Sequence, residues 1–400
     1  MTNKKITAPM YSMDKQQYKL SYFSESLSKY EENEVKINKT GKNYFKKLLQ
    51  WFKKDILHIK MVKPVCPECY TKKINENGYT DRILYFHDKG EVKTRVQGYK
   101  CKKCHKEFYT NIEEIVPKNS NYTHDFIEKT LELVAIFYGS ARAVAEKVKK
   151  DTGIKISHQT IENWILKVKN PNKDKIDRFS GYYIFDVEWI KINAKWHYRF
   201  TLFDTKYNTI IADKIYSKEN SKNVKEFLEQ STWNQEKISI TTDLDEKYKP
   251  IIEKLGFQHQ WCLFHALKNI NKTVKKYIKE NNLTKEEQEE IILQKLELFN
   301  LFNSESFDIA RNKFNDILSK IKDFCEVIQD IVMETIMPYF NTFFAFLKDE
   351  NIDCTSNKLE NCFLKTMPRH IKKKMKTTDG AMARIWLRTL LWDEKNGIEF

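Results

Sequence analysis

Residues 181–215, GYYIFDVEWIKINAKWHYRFTLFDTKYNTIIADKI, contain three apolar runs separated by short polar connections. That spacing predicts three strands in an antiparallel meander. Further along the chain, NSKNVKEFLEQ predicts a helix, KISITT a buried strand, KYKPIIEKLG a second helix and FQHQW a short strand. The predicted order of elements is therefore βββαβαβ.

This order is the framework of the ribonuclease H-like fold. We expect residues 180–265 and 352–392 to form an α/β domain of that kind. Between them, residues 266–351 read almost entirely as helix and predict an all-helical insertion. The fold class is therefore multidomain α+β, in agreement with a length of 400 residues, which exceeds what one hydrophobic core usually organises.

Three carboxylates fall where segments of this domain should converge. Asp186 lies in the first strand, Asp243 closes the buried strand, and Glu360 lies near the start of a late helix in TSNKLENCF. An acid in an apolar strand is costly unless it is paired or bound to metal, so Asp186 is the strongest candidate. Gathered carboxylates suit two Mg²⁺ or Mn²⁺ ions, which can activate an attacking oxygen and stabilise the leaving oxygen of a phosphodiester.

Other interpretations of these acids stay open at the level of sequence. An acid after a strand, such as Asp243, commonly shapes a turn or caps the next helix. The spacing Asn357-x-x-Glu360 is also that of a capping box. Glu188 and Asp245 each follow a candidate by two residues, which in a strand places them on the same face, so either could substitute or assist.

Two further features near the acids read mainly as structural. Cys262-Leu-Phe-His265 pairs a thiol with an imidazole; a buried cysteine beside a core histidine explains it more simply than a metal site or a nucleophilic dyad. The tryptophans of the domain, including Trp189 and Trp196, are predicted to be core aromatics and not base-stacking platforms.

Four of the eight cysteines form two matched C-x-x-C pairs, CPEC and CKKC, separated by ILYF and EVKTRVQGYK with an Asp88-Lys-Gly90 turn signal. Two strands joined by a hairpin between paired thiolates predict a zinc ribbon over residues 64–110. A redox pair would need a thioredoxin-like context, which is absent here. Four thiolates leave no open position, so the zinc would be structural. The predicted ligands are Cys66, Cys69, Cys101 and Cys104.

Residues 121–170 change to a helical period, with three apolar stripes and Ser157 placed as the N-cap of the third helix. This pattern predicts a helix-turn-helix domain, although a plain three-helix bundle would have the same periodicity. Side chains able to read bases or bind phosphate lie opposite the third stripe. The predicted DNA contacts on this helix are His158, Gln159, Asn163 and Lys167.

Basic segments lie at both ends of the chain. Residues 1–63 form a basic lead-in in which YFKKLLQWFKKDILHIK predicts an amphipathic helix that touches DNA or packs on the next domain. After Glu360, a basic amphipathic helix is predicted to hold the DNA backbone. Its proposed contacts are Lys365, Arg369, Lys372, Lys373 and Lys374.

Net charge and hydrophobic content limit the class of protein and the kind of partner. The formal net charge is +15, which favours a polyanionic partner such as DNA, and 41% hydrophobic residues exclude collagen-like and largely disordered proteins. No export signal and no run of about 18 apolar residues occur, so we expect no membrane partner and a cytoplasmic, nucleoid-associated protein.

Asp186 in FDVEW, Asp243 in TTD, Cys262 and His265 in HQWCLFH, and Glu360 in SNKLEN together resemble the DDE transposases of prokaryotic insertion sequences, of the Mutator-like kind. The resemblance covers residues 64–390 and implies a ribonuclease H-like domain in which the three acids bind two catalytic metals. It also implies that the cysteine and histidine form the family's C-x-x-H signature, and that an amino-terminal zinc ribbon or helix-turn-helix binds element ends.

The expected activity is DNA cleavage and strand transfer with two metal ions. The expected partners are double-stranded DNA, as terminal inverted repeats and target, and further copies of the chain in a homodimer or higher oligomer. The alternative is a zinc-ribbon and helix-turn-helix regulator whose ribonuclease H-like domain is inactive, and a third option is a stand-alone nuclease of the same fold.

Overall fold

The computed structural model describes residues 43–45, 48–137, 139–171 and 178–397. It combines helices with two mixed β-sheets in two compact units: the described residues up to 130 together with 148–155, and the described residues of 131–147 and 156–397. Residues 1–42 of the predicted lead-in and residues 172–177 of the polar linker lie outside the described residues. None of the described helices is both long and apolar enough to cross a membrane.

The first unit is built around a six-stranded sheet in the order β1-β2-β3-β5-β4, and β6 also pairs with β5, near its end. Only β3 and β5 pair in parallel, and the other neighbours are antiparallel. Its core includes Leu48, Ile59 and Leu84. The strands are β1 (Asn43–Phe45), β2 (Leu48–Lys53), β3 (Ile56–Met61), β4 (Ile74–Phe86), β5 (Gly90–Cys101) and β6 (Glu107–Tyr109).

The helix predicted over YFKKLLQWFKKDILHIK is wrong, because this segment forms the hairpin β2–β3. Lys54 and Asp55 turn the chain with positive φ angles of 51° and 62°, and Phe52 pairs with Leu57 across the hairpin. Phe52, which fitted the helical stripe, is 53% exposed. The sheet therefore continues across position 63, where the sequence analysis placed the end of the lead-in.

The hairpin predicted between the cysteine pairs is confirmed. β4 and β5 are antiparallel, with Leu84 opposite Val92, and both of these side chains are buried. Gly90 ends the turn with a φ of 70°, a left-handed conformation that suits glycine. The two strands therefore bring the segments that carry the cysteines to one end of the hairpin.

The three helices predicted for residues 121–170 are also confirmed. Ser157 caps the third as predicted, since its side chain accepts a hydrogen bond from the Thr160 N–H. On that helix Ile161 and Ile165 are buried, in agreement with the predicted apolar stripe. The helices are α1 (His124–Phe137), α2 (Ala141–Thr152) and α3 (His158–Ile165).

The second unit contains a five-stranded sheet in the order β11-β10-β7-β8-β9. Strands β7, β8 and β9 form an antiparallel meander, whereas β10 runs parallel to both β7 and β11. The observed elements follow the predicted βββαβαβ order. They are β7 (Tyr182–Ile192), β8 (Lys195–Asp204), β9 (Thr209–Tyr216), α4 (Ser221–Ser231), β10 (Ser239–Thr242), α5 (Tyr248–Lys254) and β11 (Gln258–Trp261).

Helices cover both faces of this sheet. Phe185 on one face packs with Phe227 of α4 and Ile252 of α5. Ile184, on the other face, packs with Leu359 and Phe363 of a late helix. Because neighbouring residues of a strand point to opposite faces, β7 is buried on both sides over this stretch.

The chain between β11 and the late helix is helical, which confirms the all-helical segment predicted for residues 266–351. These helices enclose a core of their own that includes Leu298, Phe314 and Phe343. Residues Ile331–Ile336 form a π-helical turn between α9 and α10. The α-helices are α6 (Leu263–Glu280), α7 (Lys285–Phe302), α8 (Phe307–Ser319), α9 (Glu326–Asp330) and α10 (Met337–Phe343).

The late helix is shorter than predicted. α11 (Asn357–Thr366) ends before Pro368, which cannot continue a helix because it lacks an N–H and restricts the residue before it. The following basic residues form turns held by the buried side chains of Ile371 and Met375. The chain then enters α12 (Thr378–Lys395).

Candidate active site and metal centre

Asp186 and Asp243 occupy equivalent levels of neighbouring strands. In the parallel pair β7–β10, Ile184 is in register with Thr241, and each acid follows two residues later. Adjacent strands lie about 4.8 Å apart, so the register brings the two acids together at one edge of the sheet. Asp186 is half-buried, and its Oδ1 accepts a 2.7 Å hydrogen bond from the Val187 N–H.

Glu360 reaches the same region from α11. Leu359, in the first turn of that helix, packs against Ile184 of β7. Asp186 follows Ile184 by two residues and therefore points to the same face of the sheet. A helix seated on that face places Glu360 near the two aspartates, although it is more than 100 residues further along the chain.

The electrostatics of the three acids indicate close grouping. Burial, followed by the charges of Asp243 and Glu360, raises the pKa of Asp186 to about 7. Burial, followed by the charge of Asp245, raises the pKa of Asp243 to about 6. The Oδ1 atom of Asp243 is buried and has no hydrogen-bond partner within the described part of the chain. We call Asp186, Asp243 and Glu360 the acidic site.

The acidic site is wider than the ligand shell of one ion. Within the described ranges, the four-cysteine cluster is the only group of three or more His, Cys, Asp or Glu residues whose ligand atoms all lie within 4.8 Å of one another. The three carboxylates affect one another's pKa values, but their ligand atoms do not all lie within 4.8 Å of one another.

Glu188 and Asp245, the two alternatives to the aspartates, already have cationic partners. Glu188 is buried and contacts Arg199 at 3.1 Å and Lys372 at 2.9 Å. Asp245 lies 2.5 Å from the ammonium of Lys247. The two acids are neutralised by the protein itself, in contrast to Asp186 and Asp243.

The capping-box interpretation of Glu360 is wrong. Ser356, and not Asn357, is the N-cap of α11, and its side chain makes no capping hydrogen bond. Instead the Ser356 hydroxyl donates to Glu360 Oε1 at 3.1 Å. The same oxygen lies 3.7 Å from Nε2 of His265. The carboxylate of Glu360 is therefore held by side chains and does not cap its own helix.

Cys262 and His265 form the wall beside Glu360. The buried sulfur of Cys262 accepts a hydrogen bond from the N–H of Ser356 at 3.3 Å and lies 3.4 Å from its hydroxyl oxygen. Hydrogen bonding to Cys262, together with the charges of Glu360 and Asp186, raises the pKa of His265. Burial would raise the pKa of Cys262, but hydrogen bonds with His265 and Ser356 lower it overall. The pair thus connects the start of α6 to the start of α11.

The cysteine cluster of the first unit has the geometry of a tetrahedral metal site. The Sγ atoms of Cys66 and Cys104 lie 3.5 Å apart, as do those of Cys69 and Cys101. Four sulfurs bound to Zn²⁺ at about 2.3 Å would lie about 3.8 Å apart, close to these values. Although burial opposes it, backbone N–H groups that include that of Lys103 lower the pKa of Cys101 to about 6. The cluster could therefore hold a structural metal such as zinc.

Comparison with known proteins adds the following. The chain is 31% identical over 399 residues to the insertion element ISM1 uncharacterized 48.3 kDa protein of Methanobrevibacter smithii, and the match covers 99% of each chain. The chain belongs to this insertion-element protein family. No protein-family model matches it.

A solved structure, the cryo-EM structure of a simian T-cell lymphotropic virus intasome with PP2A regulatory subunit B56 gamma, matches 39% of this chain and 64% of that chain. The identity is 13% and the TM-score is 0.19, too low to support an inference about fold.

The predicted DNA contacts of this insertion-element protein fall into two groups. In the first group the four predicted side chains are exposed, and Gln159 donates a hydrogen bond to Asn163. Glu162 of α3 is held by Arg384 at 2.7 Å. His158, Gln159 and Asn163 lie on α3, whereas Lys167 lies two residues beyond its end.

The second group does not lie on one helix, as the sequence analysis expected. Lys365 is exposed on α11, whereas Arg369, Lys373 and Lys374 are exposed in the turns after it. Lys372 points inward to Glu188, with 28% of its side chain exposed. In the structure Lys372 therefore pairs with a buried acid.

Sequence reasoning missed two features of the second unit. Arg199 is completely buried and joins Glu188 and Asp213, but arginine in an apolar strand run gave no clear signal. Trp189 and Trp196 are 52% and 43% exposed, so the core prediction for both is wrong. Their position beside the polar turn Asn193–Ala194 is the signal that could have placed them at a hairpin tip.

Proposed function

We propose that this chain is a transposase of an insertion element, of the Mutator-like DDE kind, and that its acidic site cuts DNA at element ends and transfers the strands. The main support is the full-length similarity to an insertion-element protein. The grouping of Asp186, Asp243 and Glu360 on segments that are distant in sequence supports catalysis as part of that role.

The sheet supports a ribonuclease H-like catalytic domain. Three antiparallel strands are followed by two strands that add in parallel on the other side of β7. Asp186 lies in the central strand, and Asp243 ends the strand beside it. This topology gathers side chains from residues 180–265 and 352–392, with 266–351 as the helical insertion.

The acidic site fits divalent cations. Carboxylate oxygens are the ligands that Mg²⁺ and Mn²⁺ prefer, and Asp243 presents a buried oxygen without a partner in the described chain. Two ions about 4 Å apart, each bound at about 2.1 Å, could serve carboxylates spread over about 8 Å. Two ions therefore fit the three carboxylates, whose ligand atoms do not all lie within 4.8 Å of one another, better than one ion does. When bound, they would activate an attacking oxygen and stabilise the leaving oxygen.

The chain's own groups would hold this arrangement in place. Ser356 and His265 contact the same oxygen of Glu360 from two elements, and Cys262 ties them together. Each contact restricts the rotamers of a side chain whose position must be accurate for an in-line reaction. We assign positioning roles to Ser356, His265 and Cys262.

DNA recognition would fall to the amino-terminal part of the chain. The cysteine cluster could fix a zinc ribbon over residues 64–110, and α1, α2 and α3 would form a helix-turn-helix domain whose exposed α3 residues enter the major groove. The net charge of +15 supports binding to the phosphate backbone. Two or more copies would hold two terminal inverted repeats together.

The test is to incubate the purified protein with DNA from the flanks of its own gene, with and without Mn²⁺, and to map the 3′ ends. We expect Mn²⁺-dependent cuts at inverted repeats, and joined products when a second duplex is added. Asp186→Ala and Glu360→Ala should each reduce cleavage by about 10³-fold or more without weakening DNA binding. Asp245→Asn is the matched control and should keep most of the activity.

Three other outcomes would each favour a different function. Full cleavage by both alanine variants would overturn the assignment of the acidic site. Specific binding without any metal-dependent cutting would favour a DNA-binding regulator, and cut ends without joining would favour a nuclease.

A further inference from the structure

The tip of the β7–β8 hairpin carries an exposed aromatic pair. Asn193 and Ala194 turn the chain with φ angles of 47° and 64°, a geometry typical of a two-residue hairpin turn. Just before and after it, Trp189 and Trp196 have ring centroids 5.8 Å apart at an interplanar angle of 66°. Trp189 is 52% exposed and Trp196 is 43% exposed, so neither ring is part of a core.

These rings lie on the face of the sheet opposite the acidic site. Residues of a strand alternate between faces, so Trp189 shares the face of Phe185, whereas Asp186 points to the other face. Tyr198 pairs directly opposite Trp189 and supports it edge-on at 5.5 Å. Tyr198 in turn packs against the core below α4. The aromatic pair is therefore rigidly mounted at one end of a buried sheet.

Lysines surround the pair. The Nζ of Lys191 lies 4.8 Å above the ring of Trp196. The basic segment after α11 runs beside this strand end, because the Lys191 N–H donates to the Lys372 carbonyl and the Asn193 N–H to the Met375 carbonyl. That segment therefore brings further positive charge to the hairpin tip.

The position of these lysines follows from the bridge between Ile192 and Met375. Both side chains are buried in one cluster on the face of the acidic site. Lys374 and Lys376 lie on either side of Met375 in the chain, next to this end of β7. Both lysines are exposed.

Among the described residues these lysines have no anionic partner. In the described chain, no carboxylate oxygen lies within 4.0 Å of the ammonium groups of Lys191, Lys374 or Lys376. Aromatic faces between uncompensated cations are the combination that binds single-stranded nucleic acid, since bases stack on the rings and phosphates pair with the lysines. A protein partner would need acidic groups matched to each lysine.

We propose that Trp189 and Trp196, with Lys191, Lys374 and Lys376, form a stacking platform for an unpaired base of a DNA strand. We call these five residues the hairpin platform. The inference rests on the proposed function, because it assigns the platform to the strand that leads to the acidic site. Trp189 lies three residues beyond Asp186, about 10 Å along the strand and on the other face of the sheet.

The test measures binding of the full-length protein to a short fluorescein-labelled single strand from the element end, by anisotropy and in EDTA so that no cleavage occurs. The double variant Trp189→Ala with Trp196→Ala should bind at least about 5-fold more weakly, the loss of one stacked base. Binding to the matching duplex should change less. Trp233→Ala is the control, because Trp233 is 80% exposed but has no role in the platform.

A second measurement separates stacking from charge. Lys374→Gln with Lys376→Gln should lower the slope of log affinity against log salt by about 1.4, or about 0.7 for each phosphate that the variant no longer neutralises. The quenching of tryptophan fluorescence by the bound single strand should persist in this variant and disappear in the double tryptophan variant.

Three results would overturn the platform. The first is that the double tryptophan variant binds the single strand within about 2-fold of the natural chain. The second is an equal loss of affinity for duplex and single strand, which would indicate that charge alone binds the DNA. The third is a changed oligomeric mass with unchanged DNA affinity, which would assign the tryptophans to contacts between copies. Because binding in EDTA needs no catalysis, these outcomes are independent of whether Asp186→Ala abolishes cleavage.

Discussion

Asp186 and Glu188 are two residues apart on the same face of β7, yet the protein treats them in opposite ways. Glu188 is buried against Arg199 and Lys372, at 3.1 and 2.9 Å, and Arg199 also binds Asp213 at 2.6 Å. Asp186 faces other acids, and its pKa is raised to about 7 by burial and by their charges.

This difference distinguishes charged side chains with a structural role from those with a functional role. Burying an ion is costly, and around Glu188 the fold supplies its own cations to offset that cost. Around Asp186 it brings together carboxylates and leaves Asp243 with an unpartnered oxygen in the described structure. A region that gathers like charges without neutralising them is suited to bind cations from solution.

The cysteine cluster is a second case of gathered anions and should show the largest effect. Cys101→Ser should release the metal and unfold β4 to β6, because structural zinc contributes on the order of 10 kcal/mol to folding. A colorimetric zinc assay on the denatured protein and limited proteolysis would measure both changes.

Cys325→Ser is the matched control, since Cys325 is half-buried outside the cluster. It should keep one zinc per chain and natural protease resistance. Equal zinc content in Cys101→Ser and the natural chain would contradict the metal site.

Arg199→Met tests the neutralised side of the comparison. It would leave Glu188 and Asp213 buried without their main partner, so the free energy of unfolding should fall by about 3–5 kcal/mol. Urea unfolding followed by circular dichroism would measure the loss. Arg178→Met removes an ion pair with Glu236 whose arginine side chain is 82% exposed, and should cost less than about 1 kcal/mol. A similar small loss for Arg199→Met would remove the contrast.

The order of elements in the second unit could be predicted from the sequence because each strand and helix has its own apolar period. The same periodicity failed for Leu48 to Ile59, where apolar residues fit a helix nearly as well as two short strands. Only the turn at Lys54 and Asp55, which needs two left-handed residues, distinguishes them. Because neither Lys54 nor Asp55 is a glycine, the sequence gives little sign of this turn.

The candidate site could be predicted in part. The spacing of Asp186, Asp243 and Glu360 pointed to one place, but their partners depend on contacts between distant segments. Lys372 read as one more member of a basic run, and only the fold shows that it reaches Glu188. Trp189 and Trp196 read as core residues because sequence alone does not tell where a sheet ends beyond its covering helix.

Two histidines beside the acidic site differ in the same sense as the two acids. Burial, followed by the charge of Lys249, lowers the pKa of His259 to about 3, whereas the pKa of His265 is raised. Below an ordinary pKa of 6.5 the unfolded chain binds a proton at His259 that the native protein does not. The free energy of unfolding should therefore fall as the pH falls, by about 2 kcal/mol from this group between pH 8 and 5.

His259→Gln should remove that part of the pH dependence, since glutamine does not titrate and can still contact Thr242, now 2.8 Å from the imidazole. Urea unfolding at the two pH values would measure it. His158→Gln, on the exposed start of α3, should leave the pH dependence as it is. An unchanged pH dependence in His259→Gln would show that the imidazole is not held neutral.

The acidic site should bind divalent cations, because the fold gathers its carboxylates and leaves Asp243 with a buried oxygen that has no hydrogen-bond partner in the described chain. Titration of the metal-free protein with Mn²⁺, followed by electron paramagnetic resonance of the free ion, tests it most directly. We expect about two Mn²⁺ ions per chain, lost in Asp186→Asn and in Glu360→Gln but kept in Asp245→Asn. Unchanged Mn²⁺ binding in Asp186→Asn would contradict the account.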